Sequence, residues 1–249
     1  MKVSEYYETD RYKDVFIKDR LAYYSERLKA FSEILGERKF STVLDAGCGD
    51  GGLLKEMQKK WEFDAYGLDI SKNGTDRAKK NGIKAKVADL SKKFPFNDEI
   101  KFDLIIANEL IEHLNDPDLF LRECNRVLAR DGLLIIGTPN LNFWLNRILF
   151  LFGIYPMFLE ASTEKKIGMG KLSALSHGNQ PVGHVHMFNL LAIEEILEMN
   201  SFSVEKVIGL PIFFETPNIL VTTLYKIVDS FFSLFPSLSP DLIVLARKK

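Results

Sequence analysis

The run Val43-Leu44-Asp45-Ala46-Gly47-Cys48-Gly49-Asp50-Gly51-Gly52 constrains this chain more than any other stretch. A short apolar segment ends in an acid and then breaks into glycines at alternate positions. The glycines permit a sharp turn after a buried strand and let the backbone approach a ligand without Cβ interference. Leu53-Leu54-Lys55-Glu56-Met57 resumes as a helix, so its first turn lies beside the glycine loop. Strand, glycine turn and helix in that order make a nucleotide-shaped site.

Two ligands compete for it. Gly47, Gly49 and Gly52 satisfy the dinucleotide fingerprint, and Asp69 follows at its spacing of about 20 residues. Gly47, Gly49 and Gly51 satisfy G-x-G-x-G equally well. Asp45 separates the two, because a carboxylate at the lip of a pyrophosphate cradle is unfavourable and suits a positively charged ligand instead. The segment resembles motif I of the class I S-adenosylmethionine-dependent methyltransferases, whose ligand carries an ammonium and a sulfonium. The dinucleotide reading rests on the glycine pattern alone.

Later strands extend the resemblance through Asn140. Phe63–Ser71 reads as a strand ending in Asp69-Ile70, where the family holds both ribose hydroxyls with an acid. Ala85–Leu90 reads as a third strand ending in Asp89-Leu90, which the resemblance sets at the adenine, the polar group near its amino group and the apolar one against its ring. Each lone Asp also suits a turn or helix cap. Phe102–Asn108 runs into Glu109-Leu110-Ile111-Glu112-His113-Leu114, and the resemblance brings Asn108 and Glu109 to the methionine part of the cofactor. A helix over Leu119–Leu128 starts near Asp116-Pro117 and stops at Asp131-Gly132, before a fifth strand, Leu133–Asn140. The implied cofactor-binding set is Asp45, Gly47, Cys48, Gly49, Asp69, Ile70, Asp89, Leu90, Asn108 and Glu109.

The expected fold is α/β, a doubly wound, mostly parallel, seven-stranded Rossmann-like sheet. Ser201–Leu210 reads as strand six and Leu242–Arg247 as the final strand, which the resemblance implies inserts antiparallel between strands five and six. Residues 1–40 form an N-terminal helical cap, 41–140 the cofactor-binding core, 141–188 a lid and acceptor-binding insertion, and 189–249 the rest of the core. In the cap, Val15, Leu21, Leu28, Phe31 and Leu35 fall at helical intervals. The resemblance lets its tyrosines, Tyr6, Tyr7, Tyr12, Tyr23 and Tyr24, line the pocket; each fits equally a helix packed on the sheet. Helix Leu190–Met199 starts from an Asn189 cap.

Residues 141–159 are almost wholly apolar, too short and broken to span a membrane, which takes about 20 apolar residues. They suit a membrane surface, a homodimer face or the wall of an acceptor pocket. Residues 161–181, rich in Ser, Gly and Lys, suggest a mobile loop. The near-balance of 33 basic and 34 acidic residues argues against a nucleic-acid partner. Two cysteines form no disulfide framework, and the amino terminus lacks a secretory apolar core, so a cytoplasmic location is expected.

Methyl transfer to a hydroxyl needs a base that titrates near neutrality. His184 and His186, in Gly183-His184-Val185-His186-Met187-Phe188, come first, followed by His113. Each competes with a histidine that merely fixes its turn. The acceptor is expected to be a small molecule, glycan or lipid-linked compound, as in the glycan, secondary-metabolite and ubiquinone-pathway branch that the Pro139-Asn140 pair, the apolar insertion and the histidine turn resemble. No metal ligand is assigned. Glu109-x-x-Glu112-His113 does resemble a magnesium motif of small-RNA 2′-O-methyltransferases, provided a helix aligns the three on one face. A protein that binds the cofactor without catalysing transfer is a further alternative.

Overall fold

The computed structural model describes residues 20–170, 172, 181–212 and 218–249. Its strands are β1 (Thr42–Ala46), β2 (Asp64–Asp69), β3 (Lys84–Val87), β4 (Phe102–Asn108), β5 (Leu128–Pro139), β6 (Phe202–Leu210) and β7 (Asp241–Lys248). They form one sheet in the order β3-β2-β1-β4-β5-β7-β6. β1 to β5 pair in parallel, and β7 is antiparallel to both β5 and β6, as expected. Strand order reverses between β1 and β4, and in such sheets the crevice beyond those carboxyl ends receives the ligand.

Strand alternation divides the core into two layers. Val43, Leu104, Ile106, Ile135 and Leu245 face one cluster, with Phe31 and Leu35 of α1 (Arg20–Leu35) and Leu53, Leu54 and Met57 of α2 (Gly52–Met57). Ala78 of α3 (Lys72–Lys80) completes that layer. Leu44, Ile105, Leu134, Ile136 and Val244 face the other, against Phe120 and Leu121 of α4 (Pro117–Val127). Burial on both faces explains why the central strands read as continuous apolar runs. A third, small cluster of Phe143, Leu149, Met157 and Met169 gathers around α5 (Trp144–Leu151).

Caps fall where the sequence signals them. Asp116 accepts from Leu119 N–H at 2.8 Å ahead of Pro117 in α4, and Asn189 accepts from Ala192 N–H at 2.8 Å in α6 (Leu190–Met199). Asn218 caps α7 (Ile219–Phe232). Two boundaries need correction. α4 stops at Val127, and β5 runs through Asp131-Gly132 instead of starting after them, with Asp131 at φ 59°. The early start is possible because Leu128 pairs with Phe102 before a register shift. β3 ends at Val87, and Asp89 turns the chain by accepting from Ser91 N–H. The expectations for Tyr6, Tyr7, Tyr12 and Val15, and for positions 171 and 173–180 of the 161–181 loop, lie outside the described residues.

Candidate active site

The glycine loop forms between the ends of β1 and β2. Gly47, Gly49 and Gly51 adopt φ values of 86°, 52° and 74°, where side chains are strained. A Cβ on Gly51 would collide with Ile83, whereas one on Gly49 would meet nothing within 4 Å, so the loop opens outward at Gly49. Gly49 N–H donates to Asp69 Oδ2 at 2.7 Å, and Ser71 N–H donates to Asp69 Oδ1 at 2.8 Å. Asp69 therefore straps the loop to β2, and a carboxylate oxygen can accept a second donor besides. Cys48 is buried with its Sγ over Gly67, a packing role that leaves no room for a Cβ there. Ile70 follows Asp69 half-buried.

Asp45 lies buried at the end of β1, where burial and then the charge of Asp69 push its carboxyl up to about 7. A positive ligand beside it would restore the ionised form. At the third strand end Asp89 also pairs with Lys92 at 3.0 Å, so its turn-forming role is realised. Leu90 belongs to the buried cluster that includes Phe94 and Phe120.

β4 delivers Asn108 and Glu109. Asn108 Nδ2 donates to the Tyr23 hydroxyl, while its Oδ1 is buried with no hydrogen-bond partner among the described residues. Glu109 takes φ 53° and continues the ladder by donating its N–H to Gly137 O at 2.8 Å. That left-handed turn corrects the expected helix: only Ile111–His113 is helical, as one 3₁₀ turn. Glu109 is thereby separated from Glu112 and His113, and it pairs with Arg27 of α1 at 2.9 Å. Arg27 is buried, lies 5.0 Å from the Tyr23 ring centre and also pairs with Asp241 at the start of β7. Burial raises Glu109 to about 7 and Asp241 to about 8, against the lowering effect of the guanidinium.

The histidine turn is stapled to the 3₁₀ turn. Val185 and His186 N–H both donate to Glu112 O, at 2.8 and 3.0 Å. Glu160 holds the turn from the other side, accepting from Val182, Gly183 and His184 N–H at 2.6, 2.9 and 3.2 Å. These bonds set the His113 and His184 rings 5.0 Å apart. His113 Nδ1 lies 3.0 Å from Gly183 O and His184 Nδ1 2.7 Å from Phe158 O. A carbonyl can only accept, so each Nδ1 carries its proton and each Nε2 keeps a lone pair. Burial lowers the pKa of both rings, that of His184 to about 3, so both are neutral at pH 7. Glu112 is fully buried, accepts from Thr138 Oγ1 at 3.1 Å and sets Oε1 3.8 Å from His113 Nε2. Ligand atoms of Glu112, His113 and His184 lie within 4.8 Å of one another. His186 is not in this group; its Nε2 is buried with no partner among the described residues.

Sequence reasoning missed Arg27, Asp241, Thr138 and Glu160. Arg27 is one of many charges on an N-terminal helix, and nothing in its spacing marks it as the buried one. Tyr23 and Tyr24 both reach the site: Tyr24 lies over Gly52, where a Cβ would strike its ring. A cleft of about 370 Å³ lined by Lys101, Leu128, Arg130 and Lys248 lies at the opposite, amino end of the parallel strands and carries none of this chemistry.

The site thus combines a glycine cradle, acids whose buried carboxyls favour a cation, and an orphaned amide oxygen. This donor set fits a positively charged nucleoside. A methyltransferase-domain family model matches residues 15–207, so the chain belongs to that family, the class I methyltransferases whose donor is S-adenosylmethionine. It is 37% identical over 102 residues to a ubiquinone biosynthesis O-methyltransferase of Pelagibacter ubique, covering 39% of this chain and 42% of that protein. It is 36% identical over 107 residues to an ajmaline N-methyltransferase of Rauvolfia serpentina, covering 40% of this chain and 36% of that protein. The chain therefore spans under half the length of these relatives. The crystal structure of magnesium protoporphyrin IX methyltransferase from Synechocystis PCC 6803 with bound SAH shares the fold, with a TM-score of 0.59 at 16% identity over 99% of this chain and 98% of that one.

Proposed function

We propose that this chain transfers a methyl group from S-adenosylmethionine to a hydroxyl oxygen of a small-molecule, sugar or lipid-linked acceptor. The observation that carries this reading is the His113–His184 pair. Two neutral imidazoles, each with Nδ1 tied to a carbonyl, present unprotonated Nε2 atoms beside a strand end assigned to the cofactor. S-adenosylmethionine supplies a methyl already activated on a sulfonium, so the chain's own work is alignment, exclusion of water and removal of one proton. Asp45, Gly47, Gly49, Asp69 and Asn108 are assigned to holding the donor, with Asp89 at its adenine end. His113 Nε2 is assigned as the base. Glu112 Oε1 lies 3.8 Å from His113 Nε2, where an ionised carboxylate would offset the charge of the protonated ring. His184 is its partner, and His186 is left to shaping the turn.

The test is transfer of labelled methyl across catechol, sugar and lipid-linked phenol acceptors. His113→Gln is expected to lower kcat by about 10²-fold or more with donor affinity unchanged. An unaffected kcat would remove His113 from the reaction, and methylation of amines alone would refute the oxygen acceptor.

A second reading is favoured by the convergence of Glu112, His113 and His184. Two imidazoles and a carboxylate suit a borderline divalent ion better than magnesium. Such an ion would lower the pKa of an acceptor hydroxyl. Full activity in EDTA rejects this reading; loss reversed by zinc or manganese supports it. An RNA acceptor is disfavoured by the net charge of −1.

A further inference from the structure

The cleft at the amino end of the parallel strands is lined by cations and shares no residue with the methyl-transfer site. Lys101 reaches it from just before β4, Arg130 and Asp131 from the first residues of β5, and Lys248 and Lys249 from the end of β7. Leu128 forms its apolar wall. Its volume of about 370 Å³ falls in the range that small ligands fill.

The charges in this cleft are not balanced. Lys249 pairs with Glu198 at 3.4 Å, and Arg130, 98% exposed, meets Asp131 only at 4.0 Å. Neither Lys101 nor Lys248 has a carboxylate partner among the described residues; both ammoniums turn to backbone carbonyls instead. Lys101 donates to Arg126 O at 2.7 Å, and Lys248 donates to Asn125 O at 2.5 Å and Leu128 O at 3.1 Å. These carbonyls lie at the end of α4, where a helix leaves acceptors free and attracts cations. An ammonium carries three donors, so Lys101 keeps two and Lys248 keeps one. One lysine would cap the helix. The second adds repulsion, and burial together with the charge of Lys101 lowers the pKa of Lys248.

The rim of the cleft is pinned. Asp131 holds φ 59°, a left-handed conformation uncommon outside glycine, and Arg247 Nη1 donates to its carbonyl at 2.9 Å. A Cβ on Gly132 would press on Ala129 O and Leu128 Cδ2 at 3.0 Å, which keeps the turn tight. Backbone strain of this kind gathers at ligand clamps, and here it carries Arg130 at the rim.

We propose that this cleft binds a phosphate dianion, free or as a small phosphomonoester, between Lys101, Lys248 and Arg130. The unused ammonium donors and the guanidinium match the acceptor oxygens of a phosphate, and its two charges offset the lysine pair. The inference does not depend on methyl transfer.

The test is calorimetric titration of inorganic phosphate into the full chain near neutral pH. S-adenosylhomocysteine fills the donor site, and chloride at matched ionic strength is the control. Saturable one-site binding of phosphate is expected. Glycerol 3-phosphate binding as tightly identifies a phosphomonoester as the ligand, and its exclusion identifies the free ion. Lys101→Gln and Lys248→Gln should each weaken binding about tenfold, since each removes charge-assisted donors. Both lysines also cap α4, so Arg130→Gln, at an exposed residue that caps nothing, gives an independent measure with about threefold weakening. Phosphate heats no larger than those of chloride overturn the proposal. So does unchanged affinity in the lysine variants or in Arg130→Gln.

Discussion

At Asp45, burial beside Asp69 leaves the carboxyl titrating near 7. A cationic ligand binds the ionised form, so affinity for S-adenosylmethionine should be greatest just above pH 7, before the donor's own α-ammonium loses its proton at about pH 8. Below about pH 7, affinity should weaken by up to about tenfold per pH unit as the carboxyl takes a proton. Calorimetry from pH 5.5 to 8.5 would trace this, and a flat profile would exclude Asp45 from the donor site. Asp69→Ala should remove measurable binding while leaving the far-ultraviolet circular dichroism intact, because its bonds strap a loop and not the core. Arg27 is a different case. Replacing it with Met strands Asp241 and Glu109 in a buried setting and should cost about 3–5 kcal/mol in urea unfolding. The loss should grow as pH rises through about 7 to 8, where those carboxyls must ionise unpaired, and Asp241→Asn added to Arg27→Met should recover part of it. Sequence spacing exposed Asp45 and Asp69 because they end apolar runs. It could not expose Arg27, whose partners lie 82 and 214 residues away.

Among the elements, the site depends on segments that carry none of its chemistry. β5 presents Gly137 against Asn108, and a Cβ there would collide with Asn108 Oδ1. Gly137→Ala should therefore push Asn108 from Tyr23 and lower donor affinity without touching the donor, as calorimetry would record. Glu160 fixes the histidine turn through three backbone amides. Glu160→Gln, which offers one accepting oxygen in place of two, should lower kcat more than it changes donor affinity. If kcat stayed constant, the turn would be held by the Glu112 carbonyl alone. The Asp116 and Asn189 caps were legible as sequence signals, since capping is a local bond. The start of β5 was not, because its first residues are decided by pairing with β4.

For the whole molecule, the pattern of apolar runs separated by helices marks an α/β sheet, while the strand order and the antiparallel place of β7 were implied by the family resemblance. The glycine loop, with Asp45 before it and Asp69 at the next strand end, made the donor legible in the sequence through its resemblance to a family motif, because each acid closes an apolar run. The grouping of Glu112, His113 and His184 was only half visible. Glu109 seemed to belong with them, but a left-handed turn sends it to Arg27, while the turn bonded to Glu112 O brings in His184 and leaves His186 aside. The exposed face of α7, with Leu220, Leu224 and Ile227, is not marked by any sequence signal; on its buried side Asp229 accepts from Trp144 Nε1. Local chemistry, where period and spacing act over one or two turns, was thus determined by the sequence itself. Which distant charges pair, which histidines meet and which face of a helix meets solvent were decided by tertiary packing, since those contacts join residues that no local periodicity relates.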